Sequence, residues 1–276
     1  MKKYSIEEIA EKAEKLSYIP IVVAELITMV TGSNIEVQKI INTIRKDQGL
    51  VARIFKIANS AYYGRLQKAE HLSEAVITLG LRGLKSIVLT EAAKHVLTAA
   101  DTDDHFFWEH AVKVSVASAV FAGELSEDIV DDAVVSGLMH DIGKALIGSV
   151  YPGMFLKIRE MVEKEGALYK DVEQSIFNFD HTAVGAAVAE KWNFPQKLID
   201  VIRYHHSSNE DEISVSEVSK ELIDIVSLAN RVSHLHENEL EEKRDSFRLH
   251  GIPKERMKKL IEDIKRDWGK KDSLYF

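Results

Sequence analysis

Cysteine is absent from the 276 residues. Disulfides, thiolate nucleophiles and Cys-ligated zinc or iron–sulfur centres are therefore excluded, and any metal must be held by imidazole, carboxylate or amide oxygen. Proline and glycine are scarce as well, at 4 and 14 residues, below the usual ~5% and ~7%. That shortage argues against turn-rich all-β architectures. No long apolar run exists: the most hydrophobic stretches, residues 21–30 and 111–123, each carry a charge and fall short of the ~20 residues a membrane span requires. The first sixteen residues, MKKYSIEEIAEKAEKL, are charged and amphipathic and lack the apolar centre of a secretory signal. A cytoplasmic protein without a membrane partner is expected. An excess of basic charge is missing too. Thirty-six Lys and Arg against 44 Asp and Glu leave a formal charge of −8, which disfavours nucleic acid as a partner.

What is present is helical periodicity. With 45% hydrophobic and 29% charged residues, the chain has the composition of one large globular domain or two moderate ones. Ile40, Ile41 and Ile44 share a face after a Ser33/Asn34 cap, and Val51, Ile54, Phe55 and Ala58 continue the spacing. Ser73 and Glu74 open a helix expected to end at Gly80, residues 128–150 read as one long helix, and Asp180 caps another over 181–192. Pro195 and Pro253 stand at helix starts, the second before a stripe of Met257, Leu260, Ile261, Ile264 and Trp268. The fold class is all-α. A change in composition near residues 101–105 suggests two helical subdomains, 1–103 and 104–240, with 241–276 as a helical extension packing on the core.

Histidine distribution marks the second part. Six of the 11 histidines lie between His105 and His206. His140, Asp141 and Lys144 stand together in LMHDIGK; on a continuous helix the first two would lie about 100° apart, with Lys144 one turn beyond His140. The dipeptide alone means little, since eleven His and seventeen Asp in 276 residues give about 0.7 such pairs by chance. Its neighbours add weight. His110 heads an apolar face through Val114, Ala117 and Phe121, where imidazole needs a hydrogen bond or a metal. His181 follows the Asp180 cap, His205 and His206 end LIDVIRYHH, and Asn230 sits within an apolar helix. Each taken singly has an ordinary structural role: a core histidine bonded to carbonyl, a helix-start residue, a solvated doublet favouring the macrodipole, a buried amide with a backbone partner.

In their order these residues resemble the metal signature of the HD superfamily of metal-dependent phosphohydrolases, nearest to the HD-GYP cyclic-dinucleotide phosphodiesterases. The first half resembles the HDOD family through LSYIPIVVAELITMV, through residues 37–64 with NSAYYG, and through HLSEAVITLGLRGLKSIVL, so that residues 16–235 are covered. The resemblance implies a signal-transduction or regulatory protein with a divalent metal site, or alternatively an active phosphohydrolase or cyclic-dinucleotide phosphodiesterase. His110, His140, Asp141 and Asn230 would hold one ion, and Asp141, His181, His205 and His206 a second. Asp141 and Lys144 would be the catalytic pair, Lys144 meeting phosphate charge, with Arg203, Lys191 and Arg231 as further phosphate contacts. The ligand types do not separate Fe, Mn, Ni, Zn and Mg. Two departures stand out: no Gly-Tyr-Pro loop follows His206, and Asn230 occupies the place of an acidic ligand, offering oxygen without charge. The implied partner is a signalling protein, met by Asn59, Tyr62, Tyr63, Arg82 or Lys85, or a phosphorylated small molecule or nucleotide.

Overall fold

The computed structural model describes residues 4–15, 19–31, 35–60, 63, 67–100, 106–207, 214–234, 249 and 251–268. Among these there is no strand. Five helices come first: α1 (Ile6–Lys15), α2 (Ile21–Thr31), α3 (Val37–Ile44), α4 (Gln48–Ala58) and α5 (Leu72–Ala100). The second half contains α6 (Phe106–Leu125), a 3-10 turn (Glu127–Ile129), α7 (Val130–Met139), α8 (Ile142–Val150), α9 (Pro152–Glu165), α10 (Tyr169–Phe177), α11 (His181–Lys191), α12 (Gln196–Tyr204) and α13 (Glu217–Ser233). A last helix, α14 (Lys254–Trp268), packs on α6. No helix among the described residues is long and apolar enough to cross a membrane.

Local chemistry sets several of these starts. Asp47 accepts the Leu50 N–H at 2.9 Å to cap α4, and Asp180 caps α11 by accepting from Thr182 and Ala183. The Met257, Leu260, Ile261 and Ile264 stripe of α14 is buried as its spacing requires, and Trp268 donates to the Lys113 carbonyl. One apolar core runs from Ile9 and Val23 through α5 into Leu138, Ile142, Val184 and Ile202. A second is formed between α6, α13 and α14 around Phe121, Val226 and Leu260.

One helix expectation holds and one is corrected. The helix opened near Ser73 ends at Gly80, whose φ of 64° and ψ of −179° are a conformation that side-chain-bearing residues avoid; a second helical stretch, grouped with the first as α5, runs on from the kink to Ala100. Residues 128–150 are not one helix. Asp141 leaves helical geometry (φ −101°, ψ 16°), so α7 stops at Met139 and α8 restarts at Ile142. The Ser33/Asn34 cap, Tyr62 and the 101–105 boundary lie outside the described residues. Asn59 is taken up internally, bonding both the N–H and the carbonyl of Ala69.

The helices of the second half approach closely. A Cβ at Gly143 would lie 1.9 Å from the His181 carbonyl oxygen, and one at Gly137 would lie 2.6 Å from Ser115 Cα. Backbone, unlike the end of a side chain, cannot move aside. Gly143→Ala is therefore expected to lower the melting temperature sharply, by more than the ~1–3 kcal/mol usual for overpacking. Gly123→Ala, where the space is open, should stabilise α6 by about 0.5–1 kcal/mol. Thermal unfolding by circular dichroism measures both; equal behaviour of the two variants would contradict the packing.

Candidate metal centre

Four helix ends converge on Asp141. His110 comes from the first turns of α6, His140 caps the C-terminus of α7, His181 is the first residue of α11, and His205 caps the C-terminus of α12. The contact of α8 with α11 at Gly143 and the break at Asp141 bring the carboxylate among them. Its Oδ2 lies 3.4 Å from His110 Nε2 and 3.3 Å from His140 Nε2; its Oδ1 lies 3.3 Å from His181 Nε2 and 3.4 Å from His205 Nε2. His206 completes the second set, its ring 4.2 Å from His205 and 5.2 Å from His181. Two donor clusters result: His110, His140 and Asp141, and Asp141, His181, His205 and His206. Lys144 donates to Asp141 Oδ2 at 2.6 Å and lies 4.9 Å from the centre of the Tyr169 ring. It pairs with Asp141, not with His140 one turn before it.

Three of these rings have their tautomer set by their other nitrogen. His140 Nδ1 lies 2.8 Å from the Gly137 carbonyl and His205 Nδ1 3.0 Å from that of Ile202. A carbonyl only accepts, so Nδ1 carries the proton in both. His181 Nδ1 lies 2.5 Å from Glu173 Oε2, an oxygen that also accepts the His181 backbone N–H at 2.8 Å. With Nδ1 donating, Nε2 presents a lone pair to Asp141. Burial lowers the pKa of His110, His140 and His205, and burial with the charge of Lys144 holds His181 well below its usual value. The imidazoles are thus neutral. Burial would raise the Asp141 carboxyl, yet it is held well below the carboxylate range, and with the imidazoles neutral the charge that faces it is that of Lys144.

Lone pairs facing a carboxylate at 3.3–3.4 Å leave acceptors opposed to acceptors. His110 Nε2, His140 Nε2, His181 Nε2, His205 Nε2 and Asp141 Oδ1 are all buried without a hydrogen-bond partner, as is Asn230 Oδ1. Such groups are costly unless a cation joins them. The donor set therefore fits a divalent metal with nitrogen and oxygen ligands. Asn230 is buried on α13, and α13 is tied to α12 where Ser227 donates to the His205 carbonyl and Ser219 to Asp200.

Two residues that sequence reasoning missed support the centre. Glu173, fully buried on α10, orients His181 in the manner of a carboxylate behind a metal-binding imidazole, and burial pushes its carboxyl up to about 8. A sequence signal existed: it lies four residues before Phe177 on the apolar side of its helix. His234, one turn beyond Asn230, stacks on His110 with ring centres 4.7 Å apart. The phosphate contacts fare differently. Arg203 bonds Glu190 at 2.6 Å, and nothing places Lys191 at the centre.

Glu173→Ala is expected to weaken metal binding about 10–100-fold, the usual cost of losing such a support, read by competition with a chromophoric chelator. Asn230→Asp should strengthen it, because an amide oxygen becomes a charged one; unchanged retention in both variants would separate these residues from the centre.

The comparisons agree with this architecture. An HDOD domain protein of unknown function from Geobacter sulfurreducens superposes with a TM-score of 0.69 at 18% identity, covering 95% of each chain. A Shewanella amazonensis protein described as a candidate phosphohydrolase gives 0.65 at 22%, covering 96% of this chain and 90% of that one. In sequence, an uncharacterized protein of Treponema pallidum is 27% identical over 223 residues, 80% of this chain. Ribonuclease Y of Mycoplasma mycoides is 29% identical over 124 residues, 45% of this chain. The matched regions span 43% and 18% of those two relatives' own lengths. The HDOD domain family profile matches residues 16–208, and the chain belongs to that family.

Proposed function

We propose that this chain is an HDOD regulatory protein whose second half holds one or two divalent ions on Asp141. The observation that carries the reading is the set of buried, unpartnered Nε2 atoms turned on one carboxylate. A folded protein that used this half only as a scaffold would gain by replacing such a cluster with apolar side chains. Regulation would run through a signalling protein meeting the N-terminal half.

A second reading, hydrolysis of phosphoesters, is favoured by one feature: Asp141 divides its two oxygens between two imidazole sets. Divalent ions bound at such a site would polarise a phosphoryl oxygen and lower the pKa of water. The chain's own contribution is orientation and charge. Asp141 bridges the sets, Glu173 holds His181 in its tautomer, and Lys144 keeps Asp141 ionised and stands as the cation to meet phosphoryl charge. Asn230 brings no charge, so the ion on the His110 side would be held less firmly than the other. The ribonuclease Y relatives, enzymes of RNA cleavage by name, accord with phosphoester chemistry.

Elemental analysis of protein purified without added metal, beside His140→Ala and Asp141→Asn, tests the first reading. About one or two ions per chain are expected in the parent, with loss in both variants; trace metal in all three would overturn the proposal. With metal established, a chromogenic phosphodiester, a phosphomonoester and cyclic dinucleotides test the second reading. Turnover that survives Asp141→Asn would mark a contaminant.

A further inference from the structure

Away from the metal centre, a crevice of about 590 Å³ opens between α5 of the first half and α7, α12 and α13 of the second. Its size falls within the ~300–1,000 Å³ of small-molecule sites, and the junction of two structural halves is where such sites concentrate. None of the histidines around Asp141 lines it. Its lining mixes charged residues with an aliphatic part, Leu81 and Leu89 from α5 and Val135, Leu198 and Val218 from the second half, and has no aromatic ring to stack on a planar group. Leu81 and Val218 stand 43% and 45% exposed, an apolar lip on each wall. The strained turn at Gly80 immediately precedes Leu81 and Arg82 and sets the direction of the helix that carries them.

The charges are unequal in their engagement. Arg82 bonds Asp128 and Lys197 bonds Asp132, each pair crossing from one lining element to another. Lys85, half-buried between them, has no carboxylate within ion-pairing distance among the described residues. The carboxylate that acts on it, Asp132, is already engaged by Lys197, and the charge of Lys197 repels it. Asp131, the remaining acid of the lining, makes no ion pair with Lys85 either, and burial raises its carboxyl. Among the described residues Lys85 therefore stands without an ion-pair partner, and the charge of Lys197 bears on it.

We propose that this crevice is a binding site for a small organic anion with an aliphatic body, its anionic head between Lys85 and Lys197 and its chain between the Leu81 and Val218 lips. The inference does not depend on metal at Asp141. An anionic head supplies the charge that Lys85 lacks, in a setting where charge-assisted hydrogen bonds exceed neutral ones in strength. The aliphatic body covers the lips, which are otherwise left in water. An inorganic anion would satisfy only the first requirement and an alcohol only the second.

Hexyl phosphate is the probe, with inorganic phosphate and hexanol as its two halves, titrated calorimetrically into the full chain and into Asp141→Asn. Saturable one-to-one binding of hexyl phosphate is expected in both proteins, at least about tenfold tighter than either half, a difference of about 1.4 kcal/mol. Lys85→Met, which keeps the aliphatic stem, should weaken it about tenfold or more. The double variant Leu81→Ser/Val218→Ser alters only exposed positions and should remove the preference for hexyl phosphate over phosphate without changing phosphate binding. The proposal is overturned by absence of saturable binding up to about 10 mM, by loss of binding in Asp141→Asn, which would place the anion at the metal centre, or by affinities indifferent to both crevice variants. Should Lys85→Met fail to fold, the lip variant alone decides.

Discussion

A buried carboxylate surrounded by neutral imidazoles constrains the rest of this molecule. Asp141 is 5% exposed, bonded by Lys144, and faced by four Nε2 atoms whose hydrogen-bonding capacity nothing else satisfies. Burial of such a group is unfavourable in isolation, and one lysine compensates only part of it. The surrounding helices must therefore hold the imidazoles against a local preference to separate. They do so with backbone contacts that have no room to relax, at Gly143 against His181 and at Gly137 against Ser115.

The centre is held from behind as firmly as from within. Backbone carbonyls at Gly137 and Ile202 and the carboxylate of Glu173 take the Nδ1 protons, which turns each Nε2 lone pair inward. Glu173 is itself a buried acid with one oxygen unpartnered, tolerated because its other oxygen receives two N–H donors of His181. Stacking of His234 on His110 supports the ring that, among the described residues, has no such Nδ1 acceptor. Electrostatics and packing act on the same residues, so a change in either reaches the candidate donors directly.

The two halves meet along α5, α7 and α8, and their shared core leaves little independence between them. α7 takes part in both places where chemistry is concentrated. Its C-terminal end delivers His140, and Val135 with Ser136, one turn earlier, lines the crevice beside Lys85. Membership in the HDOD family accounts for the arrangement of helices; the two His/Asp clusters on Asp141 and the position of Lys85, without an ion pair among the described residues, belong to this chain's own side chains.

Periodicity made the helices legible, because the burial of Ile40, Ile44, Ile54 and the α14 stripe follows from spacing alone. The cap at Asp180 acts over two or three residues and is equally local; that at Asp47 is as local but was not read from the sequence. The residue types of the centre were also visible: without cysteine, any metal had to draw on the histidines, and their order resembled a known ligand pattern. Partnerships were not visible. Spacing placed Lys144 near both His140 and Asp141 and did not say which it bonds, and the structure gives it to the carboxylate; Glu173 and His234 act across helix pairs separated in sequence. The helix end at Gly80 was legible, but the crevice beside it depends on packing between halves. Sequence alone therefore determined that the chain is helical, where most of its helices lie and which atoms are available as donors, all consequences of local spacing and side-chain chemistry; it did not show the break at Asp141. Tertiary structure decided which of those atoms face one another, since that depends on how closely two backbones can approach.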